Sequence, residues 1–280
     1  MAGRTAPILA VKNLTVTLGH GIQTARVLHD VSLSVDAGMT LGIVGESGSG
    51  KSTIAKTLVG LHRPDAGLMV FDGINLGGAS RRERASVRRR IQLIPQDPYS
   101  SLDPHLTIGQ TLAEAIDPIR ARVSRHKAEI DAALAAVALD PSVASKYPFE
   151  FSGGQRQRIA IARALIVRPD VIIADEVTSA LDVSTQAEIL SLLRDLKHGL
   201  NLTVIFISHN LAVVNQICEE VVVILHGEVV EHGRVRDVFS NPQRDYTRRL
   251  IESVPGGRQF SLVSREDSQD VIKSAVERET

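Results

Sequence analysis

The sequence GIVGESGSGKST (42–53) constrains the fold of this chain more than any other segment. It follows a short apolar run and leads into the helix-like pattern KSTIAKTLVGL, so its G-x-x-x-x-G-K-[ST] spacing lies in a strand–loop–helix context. Glycines let the backbone fold closely around phosphate groups, whose charge is met by successive N–H groups and by the helix N-terminus. We expect these residues to bind the nucleotide phosphates: Gly45, Glu46, Ser47, Gly48, Ser49, Gly50, Lys51, Ser52 and Thr53.

A second segment, VIIADE (171–176), supplies the acidic groups that phosphate chemistry needs. Its apolar run predicts a buried strand that delivers Asp175 and Glu176 at its carboxyl end, where ligands bind in open α/β sheets. We expect Lys51 to reach the β- and γ-phosphates, and Ser52 and Asp175 to hold Mg²⁺. Glu176 is placed to orient or deprotonate the attacking water.

The order of predicted elements indicates an α/β fold. ILAVKNLTVTL (8–18) and VLHDVSLSV (27–35) alternate apolar and polar residues, which predicts an antiparallel pair. Later strands alternate with helical patterns, which is typical of a largely parallel sheet covered on both faces. The sequence therefore predicts a P-loop NTPase fold with a mainly parallel core sheet, an N-terminal antiparallel β subdomain and an inserted α-helical lobe.

We divide the chain into a nucleotide-binding domain, residues 1–254, and a polar C-terminal tail, residues 255–280. The helical lobe is expected at about 97–165, because this part is alanine-rich and helical in pattern, as in KAEIDAALAAVAL. Six arginines lie within residues 81–90. We interpret them as a solvated helix face, with a phosphate-binding or acidic-partner patch as the alternative.

Composition narrows the possible functions. The 32 basic and 32 acidic residues balance, which argues against a broad nucleic-acid-binding surface. A single cysteine, Cys218, cannot form an intrachain disulfide or an iron–sulfur site, and a buried thiol is expected there. The sequence has no apolar stretch of membrane-spanning length and no secretory signal pattern, so we expect a cytosolic chain that meets a membrane only through a partner.

A second glycine-rich loop, FSGGQRQRIAIARAL (151–165), lies about a hundred residues after the first. Two glycines before a helix form another seat for an anion, because a serine hydroxyl, glycine N–H groups and a helix N-terminus all favour negative charge. One chain therefore carries two loops suited to phosphate.

Together these motifs resemble the ATP-binding subunit of an ABC (ATP-binding cassette) transporter, over about residues 8–255. Gln96 in IPQDPYSSLDP matches the Q-loop of that family, and FSGGQ matches its signature. SALD (179–182) matches the D-loop, and His209 in FISHN matches the switch histidine. The six motifs follow one another in the order of the family.

The resemblance implies that two subunits pack head to tail around ATP and Mg²⁺. Ser152, Gly153, Gly154 and Gln155 would then contact the γ-phosphate of ATP held by the partner subunit, which explains the second loop.

The same resemblance assigns the remaining motif residues. Gln96 would sense the γ-phosphate through Mg²⁺ and water, His209 would hydrogen-bond the γ-phosphate and steady Glu176, and Asp182 would connect the two sites. The expected catalytic residues are thus Glu176, His209 and Gln96. The expected metal-binding residues are Ser52, Gln96 and Asp175.

Three positions depart from the family pattern. The family usually places an aromatic residue near the end of the first strand to stack on adenine, where this chain has Leu18; adenine would then rest on aliphatic surface with Val27. Phe151 replaces the commoner leucine of the signature, and Val177 replaces a common proline. Neither change removes a phosphate-contacting group, so we expect modest effects.

Two longer segments, residues 94–116 and NPQRDYTRRLIESVP (241–255), resemble the dipeptide, oligopeptide and nickel importer ATPases. This branch implies a second ATPase subunit (itself or a paralogue), transmembrane permease subunits and, indirectly, a substrate-binding protein, with the chain peripheral on the cytoplasmic membrane face. Tyr99, Leu102 and Leu106 would contact the permease or else pack within the lobe.

Two other functions are weighed against the importer ATPase. One is a soluble ABC ATPase acting on nucleic acid or the ribosome; the short gap between the two glycine-rich loops and the single cassette argue against it. The other is a non-hydrolysing regulatory cassette, against which the complete motif set argues.

Overall fold

The structure is a computed structural model that describes residues 6–20 and 23–253. The predicted polar tail, residues 255–280, lies outside the described residues, and the domain boundaries stay a prediction.

The strands are β1 Leu9–His20, β2 Gln23–Val35, β3 Thr40–Val44, β4 Ala66–Phe71, β5 Ile74–Asn75, β6 Ile91–Ile94, β7 Val171–Asp175, β8 Thr203–Ile207, β9 Glu220–Leu225 and β10 Glu228–Arg234. The helices are α1 Lys51–Leu58, α2 Arg81–Arg90, α3 Pro98–Ser101, α4 Ile108–Ile116, α5 Lys127–Ala136, α6 Gly153–Leu165, α7 Val183–Leu200, α8 Leu211–Ile217, α9 Val235–Ser240 and α10 Asp245–Glu252. Three short 3₁₀ helices cover Val123–His126, Pro141–Ser145 and Pro148–Glu150.

The N-terminal strands form an antiparallel sheet in the order β2-β1-β4-β5. Strands β1 and β2 pair antiparallel, as their alternating pattern predicts, with register shifts along the pair. Their inward side chains, such as Leu14 and Leu28, are fully buried in a core that this sheet shares with the larger one.

The larger sheet has six strands in the order β10-β9-β3-β8-β7-β6. Every described pairing within it is parallel except β10 with β9, so the predicted mainly parallel core is confirmed. Each residue of β3, β7 and β8 is buried, as expected for central strands covered on both faces. Cys218 is buried against this sheet near Gly42, and burial raises the pKa of its thiol.

Helices α3 to α6 lie between β6 and β7 in the chain, where the sequence predicts helical structure. Helix α6 packs against α3, α4 and α5 on the lobe side and against α7 and β6 on the sheet side. Ile159 and Ile161 of α6 are fully buried in a second and larger hydrophobic core, which lies between the helices and the six-stranded sheet. This helix therefore joins the helical segment to the sheet.

Helix α2 carries the arginine-rich segment on a solvent-exposed face, with Val87 as its one buried residue among those described. Its start is a capping box between Ser80 and Glu83. Arg90 differs from the other arginines, because it bonds to two carboxylates, Asp72 at 2.6 Å and Asp170 at 2.5 Å. The solvated-face interpretation holds for the helix, while its last arginine links the two sheets.

Candidate nucleotide-binding site

Four neighbouring parallel strands, in the order β3-β8-β7-β6, end at one edge of the larger sheet. Gly45 follows β3, and His209 lies just beyond β8. Asp175 ends β7 with Glu176 directly after it, and Gln96 lies just beyond β6. Residues scattered over more than a hundred positions of the chain are therefore brought to one edge, where α/β sheets bind their ligands.

The phosphate loop has backbone conformations that only glycine adopts without strain. Gly45 has φ 155°, and a Cβ atom there would lie 2.1 Å from the carbonyl oxygen of Ile224. Gly50 has φ 105° and caps α1 without any side-chain hydrogen bond. The first N–H groups of α1 thus lack a side-chain acceptor, which leaves them available to an anion.

Lys51, the first residue of α1, is 5% exposed and folds back over the loop. Its Nζ donates hydrogen bonds to the carbonyl oxygens of Gly45, at 2.8 Å, and of Glu46, at 2.7 Å. Burial lowers the pKa of Lys51, and the nearby carboxylates of Glu176 and Asp175 oppose that shift. The ammonium group is therefore held inside the loop by two of the loop's own carbonyl oxygens.

Ser52 and Asp175 form a pair of oxygen ligands beside the loop. The Ser52 hydroxyl donates to Asp175 Oδ1 at 3.2 Å, and Asp175 is 4% exposed. Burial raises the pKa of Asp175, while the Ser52 hydrogen bond acts against that shift. Hydroxyl and carboxylate oxygens fit Mg²⁺, which is usually bound by one or two such groups together with substrate phosphates. The described residues contain no group of three or more His, Cys, Asp or Glu that could hold a metal ion.

Glu176 lies where three of the four strand ends meet. Gln96 Nε2 donates to Glu176 Oε2 at 3.0 Å, and His209 Nδ1 lies 3.4 Å from the same oxygen. The Glu176 backbone has φ 48°, and its N–H donates to the carbonyl of Ile207 at the end of β8. A left-handed conformation is uncommon for a non-glycine residue, and here it turns the chain sharply after the strand.

The second glycine-rich loop lies at the start of α6. Ser152 caps the helix: its hydroxyl accepts from the Gln155 N–H at 3.3 Å, and Gln155 Oε1 accepts from the Ser152 N–H at 3.0 Å. Both side chains are exposed. The capping box thus holds the start of α6 in place with the side chains of Ser152 and Gln155 exposed.

Comparison with known proteins identifies the family. A family model described as ABC transporter matches residues 28–179, more than half of the chain. The chain belongs to the ABC transporter family. It is one of the ATP-binding, ATP-hydrolysing subunits of that family.

Curated relatives of this ABC subunit are close. A Brucella ovis protein, whose assigned name describes peptide import ATP-binding, is 45% identical and aligns over 89% of this chain and 79% of its own. The oligopeptide transport ATP-binding protein AppF of Bacillus subtilis is 44% identical over 86% of this chain and 74% of its own.

A solved structure also resembles this ABC subunit. The ATP-binding cassette MJ0796, described as a dimer in a post-hydrolysis state bound to ADP and Pi, is 31% identical with a TM-score of 0.71. That match covers 81% of this chain and 98% of the other. In the part of the chain that the structure describes, no helix is long and apolar enough to cross a membrane.

Helix α7, which follows the D-loop of the ABC subunit, contacts the signature sequence at the start of α6. Asp182 caps α7 and accepts hydrogen bonds from the Ser184 hydroxyl, the Thr185 N–H and the Thr185 hydroxyl. These bonds lower the pKa of Asp182 well below its usual range, the Ser184 bond most. The methyl group of Thr185 in turn lies against Gly154, so the helix that Asp182 caps contacts the start of α6.

The departures from the family pattern fall on apolar positions. Phe151 is 7% and Val177 is 2% exposed, and both pack in the larger core, so neither side chain faces a phosphate. Leu18 packs against the core that the two sheets share. Val27 is half-buried, and its carbonyl lies near Gly50. The backbone of Val27 therefore lies beside the start of α1.

One residue at the loop was missed by sequence reasoning. The hydroxyl oxygen of Tyr246, on α10, accepts a hydrogen bond from the N–H of Glu46 at 3.2 Å. The only sequence signal for it is the segment NPQRDYTRRLIESVP, which indicates the branch of the family without indicating a site.

Proposed function

We propose that this chain hydrolyses ATP to drive a membrane importer for peptides, nickel or related small solutes. The observation that carries the proposal is the Glu176 carboxylate, which Gln96 and His209 both approach beside the phosphate loop. The names of the curated relatives, which describe peptide import and oligopeptide transport, support the importer assignment.

In this proposal the loop binds the triphosphate of ATP. The Lys51 ammonium and the first backbone N–H groups of α1 would offset the phosphate charge, because Lys51 Nζ already lies in the loop and no side chain caps the start of the helix. Ser52 and Asp175 would hold Mg²⁺, with Gln96 as a further oxygen ligand. When bound, Mg²⁺ neutralises charge that develops on the transferring phosphoryl group.

Glu176 would orient the attacking water or take its proton at Oε2. A carboxylate suits this role when its position is fixed, because general-base catalysis depends first on geometry. Gln96 and His209 fix that position from two different strand ends. His209 is exposed enough, at 60% of its side chain, to meet the γ-phosphate as well.

The signature loop would act on a second copy of the chain. Ser152 and Gln155 are exposed at a helix N-terminus, with Gly153 and Gly154 partly exposed between them, an arrangement that favours the γ-phosphate bound by the partner. Each chain carries both halves of the site, so a head-to-tail pair of copies would contain two complete sites. Asp182, near the signature loop through Thr185, would link them.

A patch of exposed aromatic side chains supports docking of a permease. Tyr99, Tyr147 and Phe149 are 62%, 40% and 69% exposed, although aromatic residues make up only 3% of the chain. The rings of Tyr147 and Phe149 stack at 5.8 Å, and the Arg156 guanidinium lies 3.8 Å from the Tyr99 ring centre. Exposed aromatic clusters are typical of interaction surfaces. Leu102, predicted as a further contact, is only 2% exposed, so that alternative gives way to packing in the lobe.

Uptake measurements test the importer assignment. Cells that lack this chain, but retain its permease, would be supplied with the wild type or with Glu176→Gln, and uptake of a labelled tripeptide and of radioactive nickel measured. We expect the wild type to restore uptake of one of the two solutes and the variant to restore neither. Restoration of either uptake by the variant would contradict ATP-driven import, and restoration of neither by the wild type would contradict peptides and nickel as the substrates.

A further inference from the structure

The segment NPQRDYTRRLIESVP takes no part in the chemistry described above, yet it brings a side chain to the phosphate loop. Tyr246 is 8% exposed, and its hydroxyl accepts the hydrogen bond of the Glu46 N–H across 200 positions of the chain. Helix α10 therefore contacts the second residue of the loop.

The Gly45–Glu46 peptide unit is held from both sides. Its N–H donates to Tyr246, and its carbonyl oxygen accepts from Lys51 Nζ at 2.8 Å. A peptide unit is planar, so fixing the direction of the N–H also fixes the direction of the carbonyl. The Tyr246 hydroxyl thereby sets where the Lys51 ammonium finds its acceptor.

Glycine makes this restraint necessary. Gly45 has φ 155°, and the loop contains two more glycines, Gly48 and Gly50, both with positive φ. Glycine backbones have more accessible conformations than other residues, so a loop rich in them loses more entropy when it is ordered for a ligand. A side-chain anchor on the peptide unit after Gly45 limits that loss before ATP arrives.

Helix α10 is itself anchored, which makes Tyr246 a rigid support. The Glu231 carboxylate on β10 accepts hydrogen bonds from the backbone N–H groups of Gln243, at 2.9 Å, and of Arg244, at 3.2 Å. Thr247 and Ile251 are buried beside Tyr246. Burial raises the pKa of Tyr246, so the phenol stays protonated at neutral pH.

We propose that Tyr246 is a positioning residue for ATP binding, which holds the Gly45–Glu46 peptide and, through it, Lys51 in the phosphate-binding arrangement. The inference rests on the phosphate loop being the ATP site of the proposed function. Because Tyr246 acts on the loop and not on the reacting atoms, its hydroxyl contributes equally to binding substrate and transition state. Its loss therefore raises KM and leaves kcat unchanged.

Equilibrium titration of the full chain with Mg-ADP and Mg-ATP tests this inference. Tyr246→Phe keeps the ring and removes one hydrogen-bond acceptor, so affinity for both nucleotides should fall about 3- to 10-fold. KM for ATP should rise by a similar factor, with kcat within about twofold of the wild type. Thr247→Val is the matched control, because it removes a hydroxyl from the buried face of the same helix, and that hydroxyl has no hydrogen-bond partner among the described residues.

Amide hydrogen exchange separates positioning from general destabilisation. In Tyr246→Phe the Glu46 amide should exchange faster, while the amides of β3 and β8 keep wild-type rates. Unchanged nucleotide affinity, or an equal loss in Thr247→Val, would overturn the role of Tyr246 while leaving the proposed function intact. A wild-type chain that binds neither nucleotide would overturn both.

Discussion

Glu176, the proposed catalytic carboxylate, is the residue that both Gln96 and His209 approach. Its Oε2 atom lies 3.0 Å from Gln96 and 3.4 Å from His209, and its backbone follows the strand that carries Asp175. Glutamine has the same shape but cannot accept a proton at neutral pH. Glu176→Gln should therefore keep ATP affinity and lose about a hundredfold or more of turnover.

Phosphate release and a nucleotide titration, made on the same preparation, check this prediction. Glu129→Gln is a suitable control, since Glu129 is about half exposed, beside His126 in the helical segment. The control should keep wild-type turnover. Turnover near the wild-type rate in Glu176→Gln would show that another group handles the water.

Lys51 makes nucleotide binding depend on pH in the alkaline range. Burial lowers its pKa from the ordinary 10.5, so the free protein loses this positive charge at a lower pH than an exposed lysine does. ATP affinity should be constant while Lys51 is protonated and should fall as pH rises through the lowered pKa.

Fluorescence titration with an ATP analogue from neutral pH to about pH 10, near the ordinary lysine pKa, would measure this decline. Lys51→Ala supplies the comparison: it should bind more weakly at neutral pH and show no such decline. An identical pH dependence in both proteins would assign the titration to another group.

At the scale of elements, the contact between α6 and α7 depends on the second glycine of the signature. A Cβ atom on Gly154 would lie 2.4 Å from the Thr185 methyl, whereas one on Gly153 would lie 3.7 Å from Leu181. Thr185 cannot easily rotate away, because its hydroxyl is bonded to Asp182 at 2.8 Å. Gly154→Ala should therefore lower the free energy of unfolding by about 1–3 kcal/mol.

Urea unfolding of both alanine variants measures the difference. Gly153→Ala places its methyl in ordinary contact and reduces backbone freedom in a helix, so its stability should be unchanged or higher by about 0.5–1 kcal/mol. Equal destabilisation of the two variants would mean that the Thr185 contact does not limit the packing.

Most elements could be predicted from the sequence, because their patterns are local. The apolar runs before Gly45 and after Pro169 form the central strands β3 and β7, as continuous apolar runs predict. The ends of the elements are harder to predict than the elements themselves. Strand β2 begins at Gln23, whereas the alternating pattern begins only at Val27. Thr24, Ala25 and Arg26 are exposed, so no apolar periodicity marks this part of the strand.

At the scale of the whole molecule, long-range side-chain contacts escaped prediction. The order of motifs was enough to bring Gln96, Glu176 and His209 together, since parallel strands end at one edge. Nothing local indicates that Tyr246 bonds to the phosphate loop or that Arg90 joins Asp72 to Asp170. Such contacts depend on which segments the finished topology places side by side.

In the proposed function the signature loop completes the ATP site of a second copy of the chain. Light scattering of Glu176→Gln, with and without Mg-ATP, tests it most directly, because ATP that is bound but not hydrolysed should hold the pair together. We predict the mass of a single chain without nucleotide and twice that mass with Mg-ATP. A variant that binds Mg-ATP to saturation and keeps the mass of a single chain would contradict the claim.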